Sequence, residues 1–158
     1  MADYTIKRLK NELVEIKKSP LPYANAEPRD ENLLLWDGVV LGPVGTPYEG
    51  GKFHFKMEFI YRDYPYEPPK VTFKTKIFHC NFNTIGNVCL STLKLPEDKG
   101  TWRSAMGIQS ILISIHQLMA EPNSKDSLTP SIGDLYDDKR DKHDEIARMW
   151  TERYAMED

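Results

Sequence analysis

Residues 52–59 read Lys52-Phe53-His54-Phe55-Lys56-Met57-Glu58-Phe59, an uninterrupted alternation of polar and apolar side chains. Successive side chains of a strand point to opposite faces, so this period of two predicts a strand with one buried face and one wet face. Such a half-wet strand belongs to an antiparallel sheet, because parallel sheets are covered on both sides. Upstream, the aliphatic run Leu33 to Leu41 predicts a first strand, joined to residues 52–59 through a turn region that holds Pro43, Gly45, Pro47 and Gly50. Downstream, the three prolines of Tyr64-Pro65-Tyr66-Glu67-Pro68-Pro69 exclude a central strand. That segment reads as a connection to a third strand over Val71 to Phe78, with a short fourth ending at Val88.

Helices flank this sheet. Ile6, Leu9, Leu13 and Ile16 form one apolar stripe on a first helix, which must stop near Ser19 because Pro20 follows. From Ser104 onward, Ile108, Ile111, Leu112, Ile115, Leu118 and Met119 recur at helical spacing until Pro122 closes the element. Ile132, Leu135 and Tyr136 predict a short helix, and Ile146, Met149, Trp150 and Tyr154 a last one. One helix, a strand meander and three further helices make an α+β fold. With no internal repeat and no linker composition, residues 1–158 read as a single domain.

Composition narrows the function classes. The net charge of −3 lacks the basic excess of a dedicated nucleic-acid binder. Residues 1–18 carry five basic and three acidic side chains, whereas residues 121–158 carry six basic and eleven acidic ones. Ordinary solvated helix faces produce such an asymmetry, and so does a basic first helix that docks on an acidic protein partner. No apolar run approaches the roughly 18 residues of a membrane span. Two cysteines, Cys80 and Cys89, are too few for a disulfide framework, which points to a reducing cytosolic or nuclear setting.

The chemistry-bearing segment is His79-Cys80-Asn81 to Cys89, which strings a histidine, an amide and two thiols along a predicted loop. A zinc site falls one ligand short of a closed tetrahedron and lacks CxxC or HxxxH spacing, so no metal is expected. A hydrolytic Cys/His pair needs a histidine beside Cys89, and His54, His79, His116 and His143 are all available. A third reading is an acyl-carrying thiol, with Asn81 donating an amide N–H to an oxyanion. Against all three stands a bland one, in which the cysteine is a small buried hydrophobe and the asparagine a turn former.

The segment resembles the ubiquitin-conjugating enzymes, whose hallmark is His-Pro-Asn followed by Gly-x-x-Cys-Leu. Here the residues are His79-Cys80-Asn81 and Gly86-Asn87-Val88-Cys89-Leu90. The likeness extends to Ile6-Lys7-Arg8-Leu9, Pro47-Tyr48-Glu49-Gly50-Gly51, Tyr64 to Lys70, Trp102, Glu121-Pro122-Asn123 and Trp150 to Ala155. It implies the ubiquitin-conjugating fold, with an N-terminal helix, a four-stranded antiparallel meander, an active-site loop and three C-terminal helices. It also implies a bare catalytic core without extensions.

The activity implied is acyl transfer. Cys89 takes ubiquitin as a thioester from the activating enzyme and passes it to a substrate lysine or to the cysteine of a ligase. The chain then needs no cofactor of its own, since ATP is used by the upstream activating enzyme. By the same resemblance Asn81 stabilises the oxyanion or holds the active-site loop, Asp126 orients and deprotonates the incoming lysine, and His79 is a loop scaffold. Lys7, Arg8 and Lys10 match the residues that meet the activating enzyme. Tyr66 and Arg103-Ser104-Ala105 match the contact for RING or HECT-type ligases. A monomer with no nucleic-acid or membrane partner is expected.

Three features depart from the family pattern. Cys80 replaces the usual proline; the loop from Lys94 to Thr101 is longer than in the shortest members; and Ser91 stands where many ubiquitin-type members carry aspartate and the SUMO-conjugating type carries serine. Tyr66-Glu67-Pro68-Pro69 looks like the ubiquitin pattern. Ubiquitin is therefore the expected modifier, with SUMO or another ubiquitin-like modifier as the alternative. A non-catalytic ubiquitin-binding variant is the alternative of another class, opposed by the presence of Cys89.

Overall fold

Phe53, Phe55, Met57 and Phe59 are all buried, while His54, Lys56 and Glu58 between them are half-exposed, as the alternation requires. The computed structural model describes residues 3–157. Its elements are α1 (Tyr4–Lys18), β1 (Ala24–Arg29), β2 (Asn32–Leu41), β3 (Lys52–Glu58), β4 (Lys70–Phe73), α2 (Ile108–Ala120), α3 (Pro130–Asp138) and α4 (Arg140–Tyr154). The four strands form one antiparallel sheet in the order β1-β2-β3-β4. The architecture is thus the expected N-terminal helix, four-stranded antiparallel meander and C-terminal helices.

Strand membership differs from the sequence reading. Residues 24–29, read as a proline-containing loop, form β1 at the sheet edge, so Leu33–Leu41 lies in the second strand. Pro28 is tolerated because an edge strand needs ladder donors on one side only, and the register shifts between Pro28 and Arg29. β4 ends at Phe73 instead of Phe78, because the next backbone N–H groups, of Lys74 and Thr75, both turn to the His54 carbonyl oxygen. The short strand expected at Val88 is a lone bridge between Phe82 and Val88.

α2 lies against β1 and β2, and Ile108, Ile111, Leu112, Ile115, Leu118 and Met119 all face the core with Trp36, Phe53 and Phe55. It starts at Ile108 instead of Ser104 because residues 104 and 106 are held by α1. Arg8 Nη1 donates to the Ser104 carbonyl at 2.7 Å and Nη2 to the Met106 carbonyl at 2.5 Å. Glu12 then caps α2 from another helix, its Oε1 accepting the Ile108 N–H at 2.6 Å while Oε2 accepts the Tyr64 hydroxyl. Two residues of α1 therefore fix where the central helix begins.

Candidate active site around Cys89

The stretch from His79 to Cys89 folds back on itself. Gly86 sits at its tip with φ +100°, and an added Cβ there would lie 2.4 Å from the Phe73 carbonyl oxygen, so the close approach demands glycine. In return the Gly86 carbonyl accepts the Phe73 N–H at 2.8 Å, which ties the loop to β4. The Cys89 N–H then donates to the Asn81 carbonyl at 2.8 Å. This local pairing gives the Gly-x-x-Cys spacing a backbone reason.

His79 lies wholly inside. Its Nδ1 accepts the Asn81 N–H at 3.0 Å, which fixes the proton on Nε2, and that nitrogen donates to the Leu118 carbonyl at 2.8 Å. Desolvation holds its pKa down at about 3. A neutral imidazole with both nitrogens engaged is a brace, not a base.

Asn81 is likewise buried and fully engaged. Its Nδ2 donates to the Asn123 carbonyl at 2.9 Å and to the Asp126 carbonyl at 3.0 Å, and its Oδ1 accepts the Asn123 N–H at 2.8 Å. Those bonds draw the 123–126 segment across 42 residues of sequence. In this conformation the amide donors hold that loop; they are not free to meet an oxyanion.

The loop so held carries Asp126, whose Oδ2 accepts the Cys89 thiol at 3.2 Å. On the other side Lys94 Nζ lies 3.5 Å from Cys89 Sγ. Burial raises the thiol's pKa first, the Asp126 hydrogen bond raises it further, and the Lys94 cation opposes both. The net shift is upward, so the thiol is protonated at neutral pH, with its hydrogen directed at the Asp126 carboxylate.

Cys80 differs in exposure and in its partners. It is fully buried, burial raises its pKa against a hydrogen bond with the Ser127 side chain, and its Sγ lies 3.5 Å from Asn81 Oδ1. Its carbonyl accepts the N–H groups of Leu128 and Thr129 at 2.8 and 3.2 Å. A small apolar side chain suffices at such a position.

The remaining predicted residues fall into two groups. Ser91 is exposed, and its carbonyl accepts Thr101 N–H at 2.9 Å and Lys94 N–H at 3.1 Å, so it pins the base of the 94–101 loop. Tyr66 is 64% exposed and packs edge-on against Tyr4. Arg103, Ser104 and Ala105 are exposed as well. They adjoin the Tyr66 segment because the buried Trp102 indole donates to the Pro65 carbonyl at 2.9 Å. On α1, Lys7 and Lys10 face solvent, whereas Arg8 is committed to the Ser104 and Met106 carbonyls.

One residue of the site, and one that sets the start of α2, escaped the sequence reading. Lys94 was visible only as part of a long loop, and Glu12 as one polar position of a helix. Among the described residues no three His, Cys, Asp or Glu side chains cluster to hold a metal ion, and no helix is long and apolar enough to cross a membrane.

A buried imidazole bracing an asparagine that clamps a carboxylate-bearing loop over a half-exposed thiol, on this α+β frame, defines a class of transferase. The family model for ubiquitin-conjugating enzyme matches residues 8–151, and the chain belongs to that family. It is also similar to the crystal structure of a candidate ubiquitin conjugating enzyme from Plasmodium yoelii. The two are 33% identical and superpose with a TM-score of 0.88 over 100% of this chain and 99% of that one.

Proposed function

We propose that the chain accepts ubiquitin as a thioester on Cys89 from an activating enzyme and transfers it to a substrate lysine or to a ligase cysteine. The observation that carries this reading is the pairing of the half-exposed Cys89 thiol with the Asp126 carboxylate at 3.2 Å, beside a second cysteine that is sealed in the core. Asp126 takes the thiol proton as Cys89 attacks the upstream thioester, and later takes one from the incoming lysine amine. Asn81 and His79 position the loop that presents Asp126. Ser91 supports the adjoining loop.

Lys7 and Lys10 offer the exposed positive charge of α1 to the activating enzyme, and Tyr66 with Arg103, Ser104 and Ala105 offers an aromatic rim to a RING or HECT-type ligase. The chain uses no cofactor, ATP being consumed upstream, and works as a monomer in the cytosol or nucleus. Mixing it with ubiquitin, ATP and a ubiquitin-activating enzyme tests the reading. A reductant-sensitive adduct forms in the wild type and in Cys80→Ser but not in Cys89→Ala. An adduct kept by Cys89→Ala and lost by Cys80→Ser overturns it, and loading with SUMO and its own activating enzyme instead reassigns the modifier.

A further inference from the structure

We propose that Ser127 is a positioning residue for the transfer: its hydroxyl closes the turn that presents the Asp126 carboxylate to Cys89. The inference rests on the transfer reading above, in which Asp126 is the proton acceptor. Asp126 is exposed, so packing does not fix its side chain, yet its Oδ2 stands 3.2 Å from Cys89 Sγ. A displacement of about 1 Å at a reacting centre costs about 10²-fold in rate. Such a carboxylate is placed by its backbone.

Asp126 ends a single 3-10 turn, Ser124–Asp126, and its N–H donates to the Asn123 carbonyl at 3.2 Å. The chain leaves that turn extended at Ser127, with φ −74° and ψ 136°. There a side chain closes the turn, since the Ser127 hydroxyl donates to the Ser124 carbonyl at 2.7 Å. The Ser124 hydroxyl in turn donates to Asp137 Oδ1 at 2.8 Å and ties the turn to α3. That helix leaves room for the bond. Gly133 is buried within it, where glycine costs helix stability relative to alanine, and an added Cβ would lie 2.4 Å from Ser127 Oγ. Asn81 grips the same segment by the Asn123 and Asp126 carbonyls, and Ser127 supplies a second, independent fastening.

Loss of the hydroxyl frees the turn to move while Asn81 still grips it, so Asp126 spends less time against the thiol. Two effects separate this from general loosening. Discharge to free lysine slows, because the proton acceptor is displaced. The thiol also titrates lower: burial raises its pKa first, the Asp126 hydrogen bond raises it further, and Lys94, the other charged group bonded to the sulfur, opposes both. Neither effect survives when residue 126 carries no carboxylate.

The test charges the full chain as wild type, Ser127→Ala, Asp126→Asn and the double variant with ubiquitin, activating enzyme and ATP, and follows discharge to free lysine. Iodoacetamide rates against pH report the uncharged thiol, and protection of Cys80 from the same reagent shows that each variant is folded. The expected result for Ser127→Ala is discharge slowed about three- to tenfold, a fraction of the cost of full misplacement because Asn81 still holds the loop. Its alkylation profile moves to lower pH, and Ser127→Ala changes neither measurement once Asp126→Asn is present. Gly133→Ala, whose methyl group meets the Ser127 hydroxyl, slows discharge in the same way. Ser127→Ala that discharges and alkylates as the wild type, or that slows discharge equally with and without the Asp126 carboxylate, overturns the inference and leaves the transfer reading standing. Asp126→Asn discharging at the wild-type rate removes the acceptor role and the inference with it, and failure to form any thioester overturns the transfer reading as well.

Discussion

The Asn81 side chain and the Cys89 backbone belong to one hydrogen-bonded unit: Asn81 accepts the Cys89 N–H on its carbonyl and donates through its amide to the carbonyls of Asn123 and Asp126. One asparagine thereby sets the distance between a thiol and a carboxylate supplied by loops far apart in sequence.

Replacing that asparagine should cost stability as well as turnover. Asn81→Ala strips partners from the Asn123 N–H and from two carbonyls. The loop is only partly buried and water recovers some of the loss, so the cost is about 1–3 kcal/mol. At roughly 2–4 °C per kcal/mol for a chain of this size, a thermal melt resolves it. A variant that melts like the wild type yet discharges slowly to free lysine would assign Asn81 to the oxyanion instead.

The two thiols should report their environments separately. Iodoacetamide adds to one cysteine per native chain, Cys89, and to both after denaturation, as intact mass shows. Because the thiolate is the reactive species and the Cys89 pKa is raised by burial and by Asp126, the rate climbs with pH through and beyond the ordinary cysteine range. Asp126→Asn moves that profile to lower pH, and Lys94→Met moves it to higher pH. A wild-type profile centred below an ordinary cysteine contradicts the geometry.

Acid should loosen the fold through His79. Its folded pKa is about 3, against about 6.5 for an unperturbed imidazole, so the unfolded chain binds the proton that the folded chain refuses. The stabilisation is complete above pH about 6.5 and drains as pH falls toward 3, by up to about 1.4 kcal/mol per pH unit. Urea midpoints at pH about 7 and about 5 measure the slope. His79→Gln starts less stable but shows a flatter slope, and an identical slope would remove His79 from the account.

What the sequence disclosed followed from local pattern. β3 was legible because its alternation is unbroken, and α2 because its apolar residues repeat without a gap before Pro122. β1 was not, since Ala24-Asn25-Ala26-Glu27-Pro28-Arg29 has neither branched side chains nor a proline-free run; its pairing with β2 decides it. The premature end of β4 depends on a single carbonyl, that of His54, which no propensity encodes.

The site was legible where the family pattern names residues and illegible where chain crossings create it. Nothing local says that Asn81 reaches Asn123, or that Arg8 reaches Ser104 and Met106 across 96 and 98 residues. The partial burial of Arg8 was invisible for that reason, as was the placement of Lys94 beside Cys89, which depends on how residues 94–101 fold back onto Ser91.

Trp102 joins two of these crossings. Its backbone N–H holds the Lys94 carbonyl, and its indole holds the Pro65 carbonyl next to Tyr66. A single buried side chain is thus a ruler between the aromatic rim and the thiol: whatever protein docks on Tyr66 meets Cys89 at a fixed offset, and reach toward a target is set by the docked partner's dimensions.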